Sequence, residues 1–230
     1  MKFTLIAKII ASMALVSSLG TVQAAGAAPP SHVYVHTNET DNRIIHYARS
    51  ADGSLLEIER VATGGKGNNG FKLITGEKSA PDSLVSMGSL AMTPDHRLLF
   101  TVNAGDSSVS SLAIGEDGKL KVRDHQPTGE KQVPTSLTYN ARTQTLFVMN
   151  ATGPNYIRSF KVKEDGKLVS TGQHYPVDTA KYRRRFATQI VSSPDDRFVL
   201  VNIIYNDFPK PVNGFPKGVV SANDGTKDGL

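Results

Sequence analysis

Apolar residues along this chain come in short runs, several of them alternating with polar residues, and each run is broken by turn chemistry. Val33-Tyr-Val-His-Thr-Asn38, Leu98-Leu-Phe-Thr-Val-Asn103, Leu146-Phe-Val-Met-Asn150 and Phe198-Val-Leu-Val-Asn202 each end on Asn. Three are followed by a second run (Arg43 to Tyr47, Ser108 to Leu112, Tyr156 to Phe160) and then by Asp-Gly, at Asp52-Gly53, Asp117-Gly118 and Asp165-Gly166. The Asn-to-Asp steps are 14, 14 and 15 residues. Runs this short, bounded by turn residues, predict strands rather than helices. Asp-Gly predicts a tight hairpin, because Gly accepts the positive φ that such turns demand. Thr93-Pro94-Asp95 and Ser193-Pro194-Asp195 predict a second kind of turn, with Pro pre-setting φ, and Asn140 to Thr143 fills the same slot without Pro.

The recurrence decides the fold class. Four short strands, A to D, in a unit of about 45 residues are the signature of a β-propeller blade. A β-sandwich has similar strand spacing but gives no reason for the same turns to recur in the same order. Strand A is expected at Met87–Met92, Pro134–Tyr139 and Thr188–Ser192, strand B on each run ending in Asn, strand C after it, and strand D after Asp-Gly. The expected chain is all-β: three strands of one blade, two complete blades of four antiparallel strands, and two strands of a fourth. Antiparallel neighbours alternate direction, so the B–C and D–A loops share one face and the A–B and C–D turns share the other. The long loops, including Gly64 to Ser86 and Pro176 to Ala187, all fall on the first face, where a site is expected.

Length and composition refine this picture. The 230 residues contain 39% hydrophobic and 20% charged residues, with no Cys and no Trp, which suits a globular chain without disulfides or Cys-ligated metal. Lys2 and Lys8, the apolar run Ile9 to Leu19 and the small residues around Val22-Gln23-Ala24 predict a cleavable signal peptide over residues 1–24. A linker over 25–32 and a partial propeller domain over 33–230 follow. The expected location is periplasmic or secreted, with no stable membrane span after cleavage. Without Lys2 and Lys8 the formal charge falls from +5 to +3, too mild to point to nucleic acid.

Gly88-Ser-Leu-Ala-Met-Thr-Pro-Asp-His-Arg97, Leu99-Phe-Thr-Val-Asn-Ala-Gly105 and Val109-Ser-Ser-Leu112 resemble the seven-bladed β-propeller lactonase-like family, which includes propeller-type 6-phosphogluconolactonases and carboxymuconate cyclases. The resemblance runs from about Val33 to Asn202. It implies about half of a seven-bladed ring, read as a truncated chain in preference to a ring assembled from two copies, and a lactonase activity. Family lactonases often carry a channel-facing His four residues before the Ser-Pro-Asp turn. Here those positions are Ser89, Ser136 and Gln189. Members often follow the strand-B Asn with Glu, a pair kept only at Asn38-Glu39.

Lactone hydrolysis needs a base to activate water and donors for the developing oxyanion. The candidate catalytic residues are Gln189, which would position water, and His36, the one credible acid/base His. Ser89, Ser136, Asn103 and Asn150 are candidate substrate-binding residues. Arg183, Arg184 and Arg185 form the only dense cationic run and would hold a carboxylate or phosphate bidentately. The expected ligand is a small anionic or lactone molecule, with no cofactor and no metal. The competing reading is a non-catalytic propeller that binds a protein or glycan on the same face, or an inactive fragment. Gly64-Gly-Lys-Gly-Asn-Asn-Gly70 lacks the order of a phosphate loop and is read as a flexible insertion.

Overall fold

The computed structural model describes residues 31–130, 132–153, 156–178 and 185–205. Thirteen strands run through them without a helix: β1 (Ser31–His36), β2 (Arg43–Arg49), β3 (Leu55–Ala62), β4 (Leu90–Met92), β5 (Leu98–Asn103), β6 (Ser108–Ile114), β7 (Leu120–Pro127), β8 (Pro134–Asn140), β9 (Thr145–Asn150), β10 (Ile157–Val162), β11 (Leu168–Tyr175), β12 (Phe186–Ser192) and β13 (Val199–Tyr205). They form four antiparallel meanders, β1-β2-β3, β4-β5-β6-β7, β8-β9-β10-β11 and β12-β13. The three-four-four-two division is the one expected, and the fold is a partial β-propeller.

The repeated turns explain why each meander closes. In the three Asp-Gly turns, Asp52, Asp117 and Asp165 each accept the backbone N–H two residues on, at 2.9, 3.1 and 3.0 Å, and Gly53, Gly118 and Gly166 have φ of 88, 77 and 88°. In the Pro-Asp turns, Thr93 and Ser193 each donate a 2.6 Å hydrogen bond to Asp95 and Asp195, and His96 and Asp196 take the left-handed conformation. Those hydroxyls hold both carboxyls below the usual carboxylate range. The last two strands of the three-stranded sheet and of each complete blade also share a bulge position: register shifts occur at His46/Tyr47, Ser111/Leu112 and Arg158/Phe160. Bulges sharpen the local twist that a blade needs.

Alternation along each strand sends side chains into two different interfaces. All six residues of β5 are buried. Leu98, Phe100 and Val102 pack with Leu137, Leu146, Val148 and Phe160 of the next blade. Leu99, on the other face, packs with Ile44, Leu112 and Leu120 against the first sheet. A third cluster, built on Met149, Tyr156, Ile157, Ile190 and Val199, joins the third and fourth sheets. Each such side chain, when fully buried, contributes about 1.5–3 kcal/mol. Apolar residues of the two end sheets are exposed instead, among them Leu55, Leu56 and Ile58 of β3 and Leu200 of β13.

Three details differ from the sequence reading. β1 begins at Ser31, two residues before Val33. β4 covers only Leu90–Met92, whereas an A strand from Met87 was expected. The residues before it are drawn across the inner ends of later blades: Met87 N–H donates to the Thr188 carbonyl at 3.0 Å, and the Gly88 carbonyl accepts Leu137 N–H at 2.8 Å. The glycine-rich segment after β3 is not a loose insertion but is bonded to the β1–β2 and β5–β6 loops. The expected signal peptide, the expected linker up to residue 30 and residues 206–230 lie outside the described residues.

Candidate functional site

The loop between β3 and β4 is clasped by the β1–β2 and β5–β6 loops. Gly67 N–H donates to the Glu39 carbonyl at 2.8 Å, Asn69 N–H to the Asn38 carbonyl at 3.0 Å, and Gly105 N–H to the Lys66 carbonyl at 2.8 Å. Glycine is required here by contact. A Cβ on Gly67 would lie 2.2 Å from the Asn38 carbonyl, and one on Gly105 2.1 Å from the Gly67 oxygen. The expected flexible insertion is therefore a close-packed bracket, because absent side chains let three backbones touch.

This bracket forms one wall of a cleft of about 510 Å³ on the long-loop face. Asn38 holds the wall together. Its side-chain amide donates to Asn68 Oδ1 at 2.5 Å and to Ser83 Oγ at 3.1 Å, while its own oxygen accepts Asn68 N–H at 3.0 Å. Ser86 Oγ, at the far end of the loop, donates to the Thr135 carbonyl at 2.7 Å. His36, Glu39, Asp82 and Ser89 line the cleft beside them.

His36 is the chemically distinctive group. It stands at the end of β1, and its Nε2 is buried without a hydrogen-bond partner. Burial pushes its pKa down to about 4, with the Val102 carbonyl and the Asn42 amide offsetting part of that fall. The imidazole is therefore neutral near pH 7. A neutral imidazole can accept a proton from a water that reaches it, and here Nε2 is closed to solvent.

Of the other candidates, Ser89 joins His36 in the cleft. Ser136 lies elsewhere, fully buried, where its hydroxyl donates to the Met87 carbonyl at 2.6 Å and accepts Ile190 N–H at 3.1 Å. Asn103 is also fully buried. Its oxygen accepts from Asn42 Nδ2 and Thr63 Oγ1, both at 2.7 Å, and its amide donates to Ser108 and Ser110 at 3.0 and 2.8 Å. A ligand would have to displace one of these partners. Asn150 is buried as well, with Thr128 Oγ1 3.4 Å from its oxygen.

Gln189 is partly buried and accepts Asn202 Nδ2 at 2.9 Å. Arg185 turns inward. It is 6% exposed, and its Nη1 donates to the Val177 carbonyl at 3.0 Å. Arg183 and Arg184 lie outside the described residues. Among the described residues no cluster of His, Asp and Glu is placed to hold a metal ion, and no helix is long and apolar enough to cross a membrane.

The sequence reading did not single out Asp82 or Ser83, and it noted Glu39 only as half of a family pair. Pro81-Asp82-Ser83 carried a turn signal inside the longest loop of the site face. Nothing in that signal says that the turn folds back beside His36.

Residues 24–183 match the family described as Lactonase, 7-bladed beta-propeller. No curated protein sequence matches the chain. Among solved structures, a Lactobacillus plantarum protein is 20% identical, with a TM-score of 0.57 over 75% of this chain and 47% of its own. A Pseudomonas aeruginosa periplasmic gluconolactonase is 18% identical, with a TM-score of 0.55 over 76% of this chain and 47% of its own. These likenesses concern the fold, and the chain spans about half the length of either structure. With the repeated turns, the four-stranded meanders and the match over 24–183 in agreement, the chain belongs to the lactonase family of seven-bladed β-propellers.

Proposed function

We propose that this chain is an exported lactonase-like propeller that hydrolyses a small cyclic ester in the cleft beside His36. The observation that carries the reading is a neutral His36 that lines a polar cleft and whose Nε2 has no hydrogen-bond partner. In this reading a turn of the His36 ring brings Nε2, closed to solvent here, to the cleft, where it takes a proton from water as the water oxygen adds to the lactone carbonyl. Ser89 donates to the oxyanion that forms. Collapse breaks the ring C–O bond, and the imidazolium returns its proton to the leaving alkoxide. One water is consumed and one open hydroxy acid is made. So weak a base suits an activated acyl group such as a lactone better than an amide.

Export is supported by Lys2, Lys8, the apolar run Ile9 to Leu19 and the small residues before Ala25. N-terminal sequencing of the protein from a periplasmic fraction tests it, and an intact Met1 there would refute cleavage.

The second reading, a binding propeller without catalysis, draws on the structural employment of Ser136 and Asn103. The Ser136 hydroxyl and the Asn103 side-chain oxygen join blades. A lactone panel with proton release as readout separates the two. Hydrolysis by the full chain, with kcat lowered about a hundredfold in His36→Gln, supports the enzyme. Absence of turnover by folded protein on every lactone refutes it. Turnover unchanged in both His36→Gln and Ser89→Ala would remove these residues from the mechanism.

A further inference from the structure

The lining of the cleft has a charge that its recognition chemistry must respect. Two carboxylates, Glu39 and Asp82, line it, together with neutral His36, hydroxyls of Thr37, Ser79 and Ser89, and the Asn69 amide. No Lys or Arg is among the described residues that line it. Neither carboxylate enters a salt bridge among the described residues. The cleft is therefore acidic as well as polar.

From this composition we infer that Glu39 and Asp82 make the site selective for an uncharged, polyhydroxylated lactone over its phosphorylated or carboxylated counterpart. The inference rests on the lactonase reading above and names its substrate class. Carboxylates accept hydrogen bonds from sugar hydroxyls, and charge-assisted bonds of this kind are the stronger class. The same carboxylates repel a phosphate or carboxylate brought into the cleft, and repulsion is as effective a source of specificity as attraction. The volume of about 510 Å³ is of the size that small-ligand sites have. The acid product carries a new negative charge beside Glu39 and Asp82, so the same repulsion assists its release.

The test pairs glucono-δ-lactone with 6-phosphogluconolactone on the full chain, in the wild type and in Glu39→Gln/Asp82→Asn. The expected result is a kcat/KM at least about tenfold higher for the neutral lactone, with the gap narrowing by about tenfold in the double variant, mostly through KM of the anionic substrate. Equal or better use of the phosphorylated lactone by the wild type overturns the inference and moves recognition to Arg183 and Arg184. An unchanged ratio in the double variant overturns it too. If neither lactone is hydrolysed, the lactonase reading falls by itself. Equilibrium binding of the corresponding neutral and phosphorylated lactams then still decides the charge preference, with tighter binding of the neutral lactam supporting it and the reverse order refuting it.

Discussion

The Asp124 carboxylate on β7 accepts the backbone N–H of Leu168 at 2.7 Å, which ties the outer strand of one blade to the start of the outer strand in the next. Glu59 on β3 does the same for Leu120 on β7, also at 2.7 Å. A side-chain acceptor thus caps an otherwise unpaired N–H at equivalent places in successive blades. Leu168 is 3% exposed and Leu120 8%, so water cannot readily replace the carboxylate. Asp124→Ala is expected to cost about 1.5–3 kcal/mol in urea unfolding. Asp124→Asn keeps an acceptor and is expected to cost less. Equal losses in the two variants would show that the cap contributes only through its charge.

Gly65 lies against Asn103, and an added Cβ would sit 2.4 Å from the Asn103 side chain. Asn103 cannot yield easily, since four hydrogen bonds hold its amide. Gly65→Ala is therefore expected to destabilise by about 1–3 kcal/mol, the range for overpacking. Gly76 is the control: its φ is positive, unlike that of Gly65, yet an added Cβ meets nothing within 4 Å. Thermal unfolding of both variants compares buried contact with backbone strain, and a larger loss at Gly76 would contradict the bracket.

Ser136 serves two blades at once, by donating to Met87 and accepting from Ile190. Ser136→Ala leaves a carbonyl and a buried N–H without that partner. The expected cost is about 1–3 kcal/mol. Amide hydrogen exchange gives the sharper readout: the Ile190 N–H should exchange faster in the variant, and unaltered exchange would mean that the clip is dispensable.

His36 makes stability depend on pH. Its folded pKa of about 4 lies below the ordinary value of 6.5, so between these pH values the unfolded chain binds more protons. Stability is then full above about pH 6.5 and falls as the pH drops toward 4. The contribution lost is on the order of 2 kcal/mol. His46 is also held low by burial and by His32 nearby, and it adds a loss of the same sign. His36→Gln should show a shallower decline in denaturant midpoint between pH 6.5 and 4. A decline as steep as wild type would assign the effect to His46 and the other groups.

The blade order was legible because propeller chemistry is local and repeated. Asp52, Asp117 and Asp165 close their turns through the next two residues, so sequence shows both partners. The strand-B runs end on Asn at matching points for the same reason. The role of those Asn residues was not legible. Asn103 reaches Asn42 and Thr63, 61 and 40 residues away, and no local pattern names such partners. Nor does spacing reveal that Ser136 spends its hydroxyl on other blades, or that Arg185 points inward.

Repetition and turn chemistry by themselves determined the class of fold, the number of strands and the face that carries the long loops. Each of those follows from φ preferences and alternation within a few residues. Only the tertiary structure decided which polar groups remain for chemistry. It buried Asn103 and Ser136 between blades, packed Gly65 against the Asn103 side chain and Gly67 against a neighbouring backbone, left His36 Nε2 without a partner, and set His36 in one cleft with Glu39, Asp82 and Ser89. The physical reason is that hydrogen-bond satisfaction and desolvation depend on which distant segments meet, and that is set by how blades pack rather than by the sequence around any one residue.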